Sequence, residues 1–73
     1  MVTDDRHPAT QQIAQWFTYA HLPAGNARHL SAMCAALAEE MIGNLPDSPE
    51  LTVGLRKLLE AKDCFVRGAI SNG

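Results

Sequence analysis

The sequence predicts an all-α fold: a short N-terminal helix, then an antiparallel hairpin of two longer helices, in one domain that self-associates. Three observations predict it. Apolar residues recur at spacings of three and four through residues 27–45 and again through 49–70, the period of a helix face and not the alternation of a strand. Prolines fall where helices start or stop, at Pro8, Pro23, Pro46 and Pro49. No strand pattern, internal repeat or low-complexity tract competes across the 73 residues.

Residues 1–7 read as a frayed leader. Pro8 suits a first helical position, where its missing amide hydrogen costs nothing. Ile13, Trp16, Phe17 and Ala20 follow at helical spacing, so the first helix is expected over 8–20. Pro23 disfavours helix in the residue before it, and LPAGN makes the turn. From Ala27 onward, Leu30, Met33, Cys34, Leu37, Met41 and Leu45 form the expected buried stripe of a second helix over 27–45, with Glu39, Glu40 and Asn44 facing elsewhere. LPDSPE stops that helix and starts the next: Asp47 or Ser48 caps, Pro49 opens the first turn, and Glu50 suits the positive end of the helix dipole. The third helix, over 49–70, carries Leu51, Leu55, Leu58, Leu59, Phe65, Val66, Ala69 and Ile70 and frays at SNG. The short loop makes the two long helices antiparallel.

A chain of this length buries only about 60% of the surface its unfolded form exposes, and such small cores need a disulfide, a metal or a second chain. A hydrophobic content of 47% argues against disorder. Cys34 and Cys64 lie in apolar helical patterns and suit reduced core positions. His7, His21, His29 and the cysteines show no paired ligand spacing, so neither metal nor cofactor is expected. Self-association remains, and the apolar arc of the third helix, broader than one partner needs, points the same way. The N-terminal VTDDRHP is acidic and polar, unlike a secretory signal, and no run approaches a membrane span. A soluble, cytoplasmic protein is expected. Six Lys/Arg against eight Asp/Glu give a formal net charge of −2, which argues against a binder of long phosphate tracts such as DNA. A small anion held by a few placed cations fits.

Three of the four aromatic residues fall within Trp16–Tyr19. Trp16 is expected in the core and Phe17 either in the core or on a stacking surface. Tyr19 points further round and, beside His21, makes a flat polar-tipped corner suited to a nucleobase. Arg56, Lys57, Lys62 and Arg67 all lie on the third helix. Arg56–Glu60 and Asp63–Arg67 have the spacing of ion pairs; alternatively Arg67 points at an anion where copies of the chain meet. Lys62 falls inside the apolar arc, so either its stem runs along the seam with the ammonium at the edge, or it meets a ligand. No catalytic constellation emerges. Glu39 and Glu40 are adjacent and diverge, Ser31 has no evident base, and no glycine-rich phosphate loop is present.

FTYAHLP, LPDSPE and above all LRKLLEAKDCFVRGAI (residues 55–70) resemble a family of small phage-encoded helical hairpin proteins, sponges that inhibit CBASS and Thoeris immunity by sequestering cyclic nucleotide messengers. The resemblance covers residues 16–70. It implies a homo-hexamer in the host cytoplasm that binds cyclic dinucleotides, cyclic trinucleotides or cyclic ADP-ribose variants without cleaving them. By resemblance, Tyr19 stacks on a base and His21 is the accompanying histidine, displaced by the inserted Ala20. A basic residue that meets a phosphate near the start of the second helix falls at Ser31, with Arg28 on the same side of the helix as a substitute. Arg67 matches the axial polar or basic residue of the third helix. The alternative is a non-catalytic helical protein–protein interaction module whose uncovered apolar arc docks another protein.

Overall fold

A computed structural model describes residues 3–71 of the chain. They form three helices and no strand: α1 (Pro8–Ala14), α2 (Asn26–Asn44) and α3 (Pro49–Ser71). Helices α2 and α3 make the antiparallel hairpin and α1 packs against α3, giving an elongated body of 39 × 19 × 17 Å.

The N-terminal segment is tied down, against the expectation of a frayed leader. The Arg6 guanidinium donates to the Ile42 carbonyl and, at 2.6 Å, to the Leu45 carbonyl, satisfying two groups at the end of α2 that no helical amide can reach. Its Nε meets Asp47 Oδ1 at 3.1 Å, the one ion pair among the described residues. Asp47 also accepts from the His7 amide at 3.0 Å and the Thr10 hydroxyl at 2.8 Å. Together with the Arg6 charge, these bonds hold its carboxyl below its ordinary value, the His7 amide contributing most. Asp47 is therefore a latch for the N-terminus. The cap of α3 is Ser48, whose Oγ accepts from the Leu51 amide at 3.1 Å. Of the expected leader, Met1 and Val2 lie outside the described residues, as do Asn72 and Gly73 of the expected frayed end.

Helix α1 is capped by the His7 side chain, whose Nδ1 accepts from the Ala9 amide at 3.0 Å. It stops at Ala14 instead of Ala20. The carbonyls that would continue it are taken by side chains: Lys62 Nζ donates to Trp16 O at 2.8 Å and Ser31 Oγ to Thr18 O at 2.9 Å. The Leu22 amide turns to Tyr19 O, and Pro23 has no amide to offer. This early stop rotates the aromatic cluster. Phe17 is buried at 5% exposure, while Trp16, expected in the core, stands 57% exposed.

Gly25 precedes α2 with φ of 141°, a backbone region that only glycine enters cheaply. The buried stripe of α2 is Ser31, Ala35, Ala38 and Ile42, not the expected line of large residues. Ala38 is fully enclosed, because a short side chain lets α3 approach closely where a leucine would hold it off. Met33, Leu37, Met41 and Leu45 are left exposed; Leu30 and Cys34 are half-buried. On α3, Leu51 and Leu55 complete the core with Ile13, Ala14 and Phe17, and Leu58 and Leu59 pack on its edge. Phe65, Ile70 and Cys64, all expected inside, are exposed. Neither Arg56–Glu60 nor Asp63–Arg67 forms an ion pair. No described helix is long and apolar enough to cross a membrane.

Candidate functional site

The segment between α1 and α2 crosses the far end of the hairpin, held there by the two side-chain bonds to Trp16 O and Thr18 O. Where it crosses, a cleft of about 170 Å³ opens, lined by Thr18, His21 and Leu22 from the segment, Ser31 from α2, and Lys62, Asp63, Val66 and Arg67 from α3. Four of the seven sequence-predicted site residues, His21, Ser31, Lys62 and Arg67, thus meet from three separate parts of the chain. The other three do not line it. Phe17 is in the core, Tyr19 is exposed on the neighbouring turn, and Arg28 is half-buried one turn before Ser31.

Lys62, expected either with its stem along the seam or against a ligand, has its stem buried and its ammonium lining the cleft. The residue is only 8% exposed, and its ammonium rests against a neutral carbonyl. An ammonium has three N–H donors, and the Trp16 carbonyl takes one of them. No carboxylate pairs with it. A cation that lines a cleft without a carboxylate partner attracts an anion to it. Arg67, exposed, contributes the second cation, its Nη2 lying 3.4 Å from Cys64 Sγ. Asp63 sets one negative charge against these two. Ser31 is fully buried with its hydroxyl committed to Thr18 O, so it shapes the cleft and does not present a cation.

The cleft has two fixed or nearby cations, a histidine and an apolar floor from Leu22 and Val66. That set can hold a phosphodiester with one flanking edge. It is smaller than the roughly 300–1,000 Å³ that encloses a whole drug-sized ligand, so a macrocycle would project out of it. No group of three or more His, Cys, Asp or Glu side chains among the described residues is placed to hold a metal. Sequence reasoning missed Thr18, Leu22, Asp63 and Val66 as lining residues. The signal for the first two was present in the aromatic segment once its carbonyls were asked for partners, and Asp63 is next in sequence to Lys62.

Comparison of the chain with protein-family models, with curated proteins and with solved structures finds no match.

Proposed function

We propose that the protein binds and sequesters cyclic oligonucleotide second messengers, cyclic dinucleotides or cyclic trinucleotides, without cleaving them, and does so as a homo-oligomer, the phage-type immune-evasion role its sequence resemblance implies. The observation that supports the reading is Lys62, a buried residue whose ammonium has no carboxylate partner and which lines a cleft with Arg67 and His21. A phosphodiester supplies the missing counter-charge. The exposed ring of Tyr19, on the turn beside the cleft, offers a face for a base. Because one cleft is too small for a macrocycle, a neighbouring subunit completes the pocket, which is where the hexamer of the resemblance enters. A sponge competes with receptors by affinity alone, and a cleft shaped before binding lowers the ordering cost.

Titration calorimetry with cyclic di- and trinucleotides and cyclic ADP-ribose variants tests this. Binding is expected for at least one, weakened about 10- to 100-fold by Arg67→Ala through loss of a charge-assisted contact. If all of them leave the heat signal flat, the sponge reading is lost.

The alternative reading, a protein-interaction module, draws on the exposed apolar residues of α2 and α3.

A further inference from the structure

Of the three charged residues that line the cleft, Lys62 and Arg67 have a place in the proposed function and Asp63 has none. Its carboxylate does not neutralise the two cations. The ion pair with Arg67 that their spacing allows is not formed, and none joins Asp63 to Lys62. Nor does Asp63 hold the fold. The residue is exposed, and the bonds that fix the crossing segment run from Lys62 to Trp16 O and from Ser31 to Thr18 O. Beside an anion, a bare carboxylate only repels. It suits a bound phosphodiester when a donor of the ligand lies between the two, because an ionised carboxylate only accepts hydrogen bonds.

We infer that Asp63 accepts a hydrogen bond from the ribose hydroxyl next to the held phosphodiester, so that the cleft selects a ribonucleotide sugar–phosphate unit over its 2′-deoxy counterpart. The inference rests on the messenger-binding reading above and names the ligand feature that the same site selects. Two observations choose a sugar hydroxyl over a base edge. Asp63 and Arg67 stand four residues apart on α3, neighbours on one face with about 5–6 Å between their Cβ atoms. The donor that meets Asp63 is therefore close to the phosphate that meets Arg67. In a ribonucleotide that donor is the free hydroxyl beside the esterified one, and the N–H groups of the base lie a whole sugar ring further out. The second observation is size: a cleft of about 170 Å³ has room for a diester with one flanking edge, which leaves the base to the exposed Tyr19 ring outside it. This hydroxyl is what tells ribose from deoxyribose at a given site, and a site that hydrogen-bonds it rejects the analogue without it.

Calorimetry compares cyclic di-AMP, cyclic di-GMP and cyclic tri-AMP with their 2′-deoxy forms, on the unmodified chain and on Asp63→Ala. That substitution is at an exposed position, so circular dichroism is expected to stay helical. The ribo form is expected to bind the unmodified chain about 10-fold tighter, the effect of one charge-assisted hydrogen bond. With Asp63→Ala the ratio falls to near one, and Asp63→Asn, whose amide oxygen still accepts, keeps part of it. The linear diesters ApA and dApdA, titrated at millimolar concentration against the isotope-labelled chain by NMR, carry the same sugar–phosphate unit without the messenger ring. A preference for ApA that Asp63→Ala removes upholds the inference even where every cyclic oligonucleotide fails, and only the sponge reading is then lost. Equal binding of ribo and deoxy forms, or a preference that survives Asp63→Ala, overturns the inference and leaves the sponge reading standing. Silence from all of these probes overturns both.

Discussion

On the side of the hairpin that carries Thr52, Asp63 and Arg67, most of the cover is polar. Arg6, Asp47, Thr10, Ser31 and Lys62 hold the N-terminal segment by hydrogen bonds, and only Ile13, Ala14 and Phe17 add apolar burial. On the side that carries Gly54 and Phe65, large apolar side chains (Leu37, Met41 and Phe65 among them) stand exposed beside Glu50. The difference teaches that side-chain size does not decide which face of a small hairpin becomes core. Helix α2 turns Ala35 and Ala38 inward beside Ser31 and Ile42, where close approach favours them, and Met33, Leu37 and Met41 outward. The covered face then has too little apolar area to hold a nonhelical segment by packing alone. The segment's loose carbonyls are met by a serine hydroxyl and a lysine ammonium instead, and that lysine becomes the wall of a cleft.

The comparison is broken most directly at the aromatic pair. Phe17→Ala is expected to cost about 3–5 kcal/mol, as for a buried aromatic, whereas Trp16→Ala stays within about 0.5 kcal/mol, as at an exposed position. Urea midpoints at one fixed protein concentration measure both, and equal losses would show that Trp16 is core after all. Ala38→Leu tests the close approach of α2 and α3. Overpacking there is expected to cost about 1–3 kcal/mol although the substitution adds hydrophobic area; a stabilised variant would mean that the helices have room. Lys62→Met keeps the stem and removes the ammonium. It leaves the Trp16 carbonyl unpaired, at about 1–2 kcal/mol, and should abolish messenger binding in the same calorimetry. A variant that binds normally would show that the Lys62 ammonium does not meet the messenger.

The smallest effect is the N-terminal latch. Asp47 is held below its ordinary carboxylate value, so its contribution is complete above the unfolded value of 3.8 and disappears as pH falls through the lower folded value. Asp47→Asn is therefore expected to melt below the unmodified chain near neutrality and to converge with it in acid. Thermal melts from about pH 6 down to about pH 2 read that gap. A gap that widens in acid would contradict the assignment.

The three helices were legible because their signals are local: apolar spacing, the prolines, and Ser48 before Pro49. The end of α1 was not, since Lys62 and Ser31 set it from 46 and 13 residues away. Without that stop the rotation of Trp16 outward and Phe17 inward cannot be read. The stripe of α2 was misplaced for a different reason. Periodicity favours the largest side chains, whereas Ala35 and Ala38 win by bringing the helices together. At the cleft, His21, Lys62 and Arg67 stood out by charge and position, yet their meeting depends on the segment crossing above Ser31.

Native mass spectrometry of the unmodified chain and of Arg67→Ala, each with a panel of cyclic di- and trinucleotides, tests the central claim that a cationic cleft completed between copies sequesters a messenger. The unmodified chain is expected as an oligomer that retains a fixed number of cyclic oligonucleotides, and Arg67→Ala as an oligomer of the same mass that retains few or none. An oligomer that keeps no cyclic oligonucleotide, or an Arg67→Ala form that keeps them all, would contradict it.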